Sequence, residues 1–358
     1  MSYFVSDKTG FQQSLNKRIS AYFRDNNISK YANGIVWAKI YLLLFLWLLS
    51  LFLIYLFGDS MSKAIVLYLI HGVFCLLLVF NVGHDAAHGA LSPKPAVNHL
   101  FSYSFNLLGG NSYSWKLKHN IGHHFFTNIH GKDIDIETVP LFRVSPFTMW
   151  RFYYRFQHIY ILPLYCVLSL ALIFVLDFKV MFVIRDKHRE NKILREWLIL
   201  IFTKVFYIFY LIFLPYLILP LSLSEVLACF FIMHCLVGLF ISLVLLPSHF
   251  VAHAQFYRNN ESVSESKNTW ALHQLLTTID IAPESKWMNF FLGGLNTNIL
   301  HHIFPKICHA HFIPLVKIVK QTADEYNKPY VSYSLPGAMK EHFSFLKKMG
   351  VKNLKRME

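Results

Sequence analysis

AIVLYLIHGVFCLLLVFNVGHDAAHG, residues 64–89, is the stretch that decides the fold. Residues 64–82 are apolar over about the ~20 residues an α-helix needs to cross a bilayer. The run then delivers His84-Asp85-Ala86-Ala87-His88 just past its end. Imidazoles at the mouth of a spanning helix stand at a membrane face, where water and metal can reach them. Runs at 40–57, 199–219 and 226–246 have the same character, and a fifth apolar stretch covers 159–176. The whole chain is 55% hydrophobic and 17% aromatic, with mean hydropathy +0.40. That is far more apolar than a soluble globular domain, and it makes this a multi-pass integral membrane protein.

The fifth stretch sets the topology. If it crossed, segment 177–196 would lie opposite the first histidines. Yet that segment holds Lys179, Arg185, Lys187, Arg189, Lys192 and Arg195, the basic density of a cytoplasmic loop. The turns 58–63 and 220–225 hold only Lys63 between them and read as external. The fold expected is therefore all-α: four transmembrane helices in two hairpins, both termini cytoplasmic, with 159–176, interrupted by Pro163, as an interfacial or re-entrant segment. Regions 83–198 and 247–358 form a cytoplasmic helical cap, and 1–358 reads as one domain with no internal repeat. Within 1–35, Phe11, Leu15, Ile19 and Phe23 recur at helical spacing among Lys17, Arg18 and Arg24, which predicts an amphipathic helix on the membrane surface. Net charge is +14. All Lys and Arg except Lys63 and Lys204 fall in segments assigned to the cytoplasm, so positive-inside topology explains most of it. The remaining reading is attraction of anionic headgroups or an acidic protein. No motif supports nucleic-acid binding.

Two more histidine clusters follow, His119-Asn120-Ile121-Gly122-His123-His124 and Asn298-Ile299-Leu300-His301-His302. Residues four apart share a helix face, so His84 with His88, and His119 with His123, each aim two imidazoles at one point. His124 and His302 turn toward a second point. Seven histidines exceed one structural zinc site, which takes four ligands with cysteine usually among them, and two metals sharing the clusters is the economical reading. The bland reading of a single HxxxH is a polar pair on a solvated face; three clusters together argue against it. His71, His99, His130, His158, His188, His234, His309, His311 and His342 read as packing or surface residues. The five cysteines form no CxxC pair and read as reduced packing residues.

At this point the chain resembles the membrane fatty acid desaturases. The likeness rests on HDxxH with a following glycine at 84–89, HxxxHH followed by Thr-Asn and an acidic run at 119–135, and GGLNxNxxHHxFP at 293–305. Segment 268–278 and Pro329-Tyr330-Val331-Ser332-Tyr333 extend it over nearly the whole chain. The nearest branch is that of bacterial linoleoyl-CoA-desaturase-like and front-end acyl desaturases. The resemblance implies a non-haem di-iron enzyme that uses O2 and two electrons to remove two hydrogens from an acyl chain. One iron would be held by His84, His124, His249 and His302, the other by His88, His119, His123 and His301. His253 is the reserve ligand, one helical turn beyond His249, and His273 lies behind the ligands. Asp85, Asp133, Asp135 and Asp280 are candidates to orient ligand rings.

The departure is Asn298, where the family carries glutamine or histidine. Its amide oxygen is a weaker, shorter donor, expected beside one iron directly or through a water. Hydroxylation, ketolation or acetylenation of an acyl, alkane or carotenoid chain is the alternative chemistry. A non-enzymatic metal transporter would need ligands mid-span, and these lie outside the span ends. Electrons would come from a separate ferredoxin or cytochrome b5-type carrier, because no His-Pro-Gly-Gly haem motif occurs.

Overall fold

A computed structural model describes residues 4–137, 140–185, 190–258 and 268–352 of the chain. Lys187, His188 and Arg189 lie outside the described residues. The protein is mostly helical. Helix α1 (Phe11–Asp25) precedes five long helices of spanning length and apolarity: α2 (Gly34–Phe57), α3 (Met61–His88), α4 (Phe152–Val183), α5 (Ile193–Ile218) and α6 (Leu223–Ser248). Later come α7 (Trp270–Thr277), α8 (Asn298–Ile303), α9 (Phe312–Glu325) and α10 (Leu335–Met349).

Five helices, rather than four, therefore meet the requirement for crossing. Pro163 does not interrupt α4: a 3-10 turn (Phe152–Phe156), an α-helix (Gln157–Ala171), a π turn (Leu172–Leu176) and a further α-helix (Asp177–Arg185) follow in succession. Proline removes one donor, and an apolar helix tolerates that where neighbours compensate.

The chain falls into two compact units, residues 33–118 with 162–242, and residues 1–32 with 119–161 and 243–358. The first is built from the apolar helices. Phe45, Leu56, Phe202 and Phe231 on these helices are exposed, as expected of side chains that face lipid. Inside, many polar groups are paired because apolar surroundings leave them no water. Lys39 donates to Asn81 (2.7 Å), Ser50 meets His71 Nδ1 (2.8 Å), and His234 is held by Ser169 (2.9 Å) and Tyr207 (3.0 Å). His71 and His234 are packing residues, as expected. A π turn at Phe209–Phe213 widens α5, and Tyr55 and Tyr68 donate to the carbonyls of Tyr210 (2.7 Å) and Leu211 (2.6 Å) there.

The second unit has its own core, in which Phe11, Leu15 and Ile19 of α1 pack with Ala271 and Leu275 of α7, Ile299 and Leu300 of α8, and Leu315 and Val319 of α9. These three α1 residues are 0–4% exposed. The apolar stripe read as membrane-binding is thus spent inside the protein, and Arg18 pairs with Glu325 on α9. Two short parallel strand pairs knit the unit. β1 (Ile129–His130) pairs with β2 (Tyr257–Arg258), and β3 (Asp280–Ile281) with β4 (Ser332–Tyr333). The first ties the segment after HxxxHH to the segment after His249.

Candidate metal centre

In the apolar unit, α3 passes through a π turn at Val79–Gly83 and then resumes α geometry at His84–His88. Gly89, at φ 73°, ends it in the left-handed conformation that glycine adopts freely. The i,i+4 spacing works as read from sequence. The two rings lie 4.8 Å apart, and both meet the Trp115 ring edge-on at 5.7 and 5.8 Å. Trp115 in turn stacks on Phe105 at 4.6 Å. Gly83 lets this packing close up, because a Cβ there would stand 2.8 Å from Ser104 Oγ. His84, Asp85 and His88 are all buried.

HxxxHH behaves differently. Residues Leu117–His123 form a π turn, and the His124 N–H donates to the His119 carbonyl at 2.9 Å, an i to i+5 bond. The wider turn brings His119 and His124 together, with Nε2 atoms 3.0 Å apart. His123 is turned instead toward His249, Nε2 to Nε2 at 3.3 Å.

Three ligating atoms, one each from His123, His249 and His302, lie within 4.8 Å of one another. Each ring is held from behind through Nδ1. His123 donates to Asp133 at 3.1 Å, with Asp135 at 3.5 Å; His249 donates to the Thr277 carbonyl at 3.3 Å; His302 donates to Gln274 Oε1 at 3.0 Å. Such partners fix tautomer and ring orientation and turn the other nitrogen inward. Burial lowers the His249 pKa to about 3 and drives that of His302 well below its ordinary value. Both are therefore neutral and able to ligate throughout the physiological range. His119 and His301 also bring ligating atoms within 4.8 Å of each other, and the His124 ring lies 4.7 Å from that of His301. Buried, neutral, oriented imidazoles without thiolate are a donor set that suits iron.

Helix α8 carries the third cluster on a buried turn. Asp280 accepts the Ile299 N–H at 2.8 Å and the Tyr330 hydroxyl at 2.6 Å. Its burial raises its pKa to about 7. Asn298, 4% exposed, places its amide nitrogen 2.8 Å from His249 Nε2. Amide orientation follows from the hydrogen-bond network, so this side chain lies beside the inward nitrogen of a ligand.

The histidines read from sequence draw together in the fold. The resemblance put His123 with His119 and His301, and His124 with His249 and His302. The π turn places His123 beside His249 and His302, and sets His124 both beside His119 and with its ring stacked 4.1 Å from that of His302. His253 is exposed and hydrogen-bonded to Tyr333. The chain leaves the helix at Leu245 for a 3-10 turn at Leu246–Ser248, so a helical turn beyond His249 does not exist. His273 donates to the Thr127 carbonyl (2.9 Å) and so braces the segment after HxxxHH. Gln274, Thr277 and Trp115 do not stand out in the sequence. A glutamine, a carbonyl and a tryptophan carry no ligand signal of their own.

Comparison with known proteins agrees with this chemistry. The model of the family described as fatty acid desaturase matches residues 60–334. The chain is 30% identical over 354 residues to an sn-1 linoleoyl-lipid 6-desaturase of Arthrospira platensis, covering 96% of this chain and 93% of that protein. It is also 30% identical over 357 residues to the enzyme of the same name from Synechocystis, covering 96% and 97%. An acyl-lipid (8-3)-desaturase of Physcomitrium patens is 28% identical over 98% of this chain and 74% of its own length.

Proposed function

The chain belongs to the fatty acid desaturase family, and from that premise we propose how its residues carry out the reaction. The protein is an oxidoreductase, a fatty acyl desaturase of the membrane. Its relatives are named for acyl-lipid substrates, so the chain acted on here is read as lipid-linked. Two non-haem irons, held by His84, His88, His119, His123, His124, His249, His301 and His302 with Asn298 beside them, would supply O2 activation. The balanced reaction converts CH2–CH2, O2, two electrons and two protons into CH=CH and two waters, with the electrons drawn from a separate ferredoxin or cytochrome b5-type carrier.

The observation that carries this reading is the triad of buried rings His123, His249 and His302, each tied back through Nδ1. Asp133, the Thr277 carbonyl and Gln274 hold the rings at their inward angles before metal arrives, which limits reorganisation during turnover. Burial keeps water from competing for the inward nitrogens. Asn298, beside His249 Nε2, offers a weak donor where relatives supply a stronger one, and hydroxylation or acetylenation is the second reading it favours.

The topology proposed has four crossings, with the histidines and both termini cytoplasmic and 1–358 acting as one desaturase domain. Asp177, near the end of α4, pairs with Lys204 at 2.6 Å and accepts from Ser114, in the segment leading straight into His119. The end of α4 thus packs beside Ser114, five residues before His119, and this contact supports placing segment 177–196 on the histidine side. Expression in a host lacking the product, with double bonds mapped by mass spectrometry and iron counted per chain, tests the function. A new double bond with about two irons per chain is expected, and a hydroxylated or acetylenic product replaces the first reading with the second.

A further inference from the structure

A cavity of about 360 Å3 opens in the histidine-rich unit between α9, residues 282–285 and residues 330–334. This lies within the size range of small-molecule sites. Its lining includes Lys317, Lys320, Glu284, Tyr330, Ser332 and Ser334. Lys317 and Lys320 stand three apart on one face of α9. Both lysines and Glu284 are exposed, and none of the three makes an ion pair among the described residues. Two ammonium groups and one carboxylate around one cavity complement a zwitterion whose anionic part carries the greater charge density. A phosphate bearing a short amine has that form: its oxygens suit the lysines and the serine hydroxyls, and its ammonium suits Glu284.

The chain after Ser285 forms the short helix Lys286–Leu292. Trp287, Phe290 and Phe291 on it are 75%, 43% and 45% exposed, outside any of the five long helices. Trp287 and Phe291 stack at 6.1 Å, and Phe290 meets Phe291 edge-on at 5.3 Å. Aromatic rings beside a lysine mark the membrane–water interface. Tyr330, also in the lining, donates to Asp280, which accepts the Ile299 N–H of α8 and so reaches the helix of Asn298, His301 and His302.

We propose that this cavity holds the headgroup of a zwitterionic aminophospholipid, phosphate on Lys317 and Lys320 and ammonium on Glu284, while Trp287, Phe290 and Phe291 seat in the bilayer interface. The substrate class that follows is an acyl chain carried on an ethanolamine glycerophospholipid, and this part rests on the desaturase reading. The test uses the full-length protein in detergent micelles and an acyl-labelled phosphatidylethanolamine probe. Phosphatidylglycerol, phosphatidylcholine and acyl-CoA serve as competitors, and iron content checks each variant. K317Q/K320Q should weaken the probe on the order of tenfold, as expected for loss of charge-assisted contacts. Glu284→Gln should weaken phosphatidylethanolamine and spare phosphatidylglycerol. Unchanged probe affinity in either variant overturns the proposal, as does displacement of the probe by acyl-CoA at lower concentration than by phosphatidylethanolamine. Should the lysine variant fail to fold, Glu284→Gln decides the matter alone. Probe binding that follows these rules in a wild-type protein forming no oxidised acyl product would instead count against the desaturase reading and leave the headgroup site standing.

Discussion

The two histidine pairs written with the same spacing do not behave alike. His84 and His88 sit on an α turn and face each other. His119 and His123 sit on a π turn, and His119 meets His124 instead. The supports differ as well. The rings on α3 lean on Trp115, whereas His123 is held by a buried carboxylate. Spacing alone thus names candidate ligands without saying which of them lie together. The hydrogen-bond register of the backbone makes that choice.

The strongest way to break the comparison is to remove a ring from the triad. His123→Ala should abolish desaturation and release about one of two irons, since the remaining ligands cannot rebuild the geometry; plasma emission and lipid analysis read both. If His124→Ala, and not His123→Ala, emptied the same metal as His249→Ala, the π-turn grouping would be wrong. Next in size comes the support behind the ring. Asp133→Asn should lower iron affinity by about 10–100-fold in a chelator competition. Trp115→Leu, which takes an aromatic edge from beside His84 and His88, should stay within about tenfold. Equal losses would erase the contrast between a polar and an aromatic support.

Asn298→Leu sharpens the comparison from the third cluster. Turnover should fall by more than about tenfold while iron stays bound, because it takes a polar group from beside His249 but none of the histidines. Asn298→Gln should keep part of the activity or shift the product, and near-normal turnover in the leucine variant would show that eight histidines suffice. The π turn itself is probed by Gly122→Ala, whose Cβ would stand 2.6 Å from Ile134 Cδ1, at a cost of about 1–3 kcal/mol. Gly89→Ala meets no atom within 4 Å and carries only the left-handed strain of about 1–2 kcal/mol. Thermal melts should show the larger loss, with loss of iron, for Gly122→Ala. Smallest of all, exposed His253→Ala should change stability by less than about 0.5 kcal/mol and leave activity intact; a loss of iron there would restore it as a ligand.

Much of this was legible in the chain. The apolar runs predicted long membrane helices because desolvating a backbone demands helix over a bilayer thickness, and four of the five coincide with runs read as spans. The histidine clusters were legible because imidazole is rare at such density outside metal sites. What failed did so for local reasons. Pro163 looked like a break, but one missing donor does not end an apolar helix. The stripe Phe11, Leu15, Ile19 looked membrane-bound because amphipathicity reports that a face is buried, not what buries it; α7, α8 and α9 supply the partner.

From sequence alone came the solvent, the helical class, the set of histidines and the family, since each depends on composition or on residues close together in the chain. Tertiary structure alone decided which rings converge, that Asp133, Thr277 and Gln274 hold them, and that Asn298 stands beside His249. Those outcomes turn on a one-residue change of backbone register and on contacts between residues as far apart as His123 and His249. Only packing energy summed over the folded chain selects among such arrangements, and no local pattern encodes it.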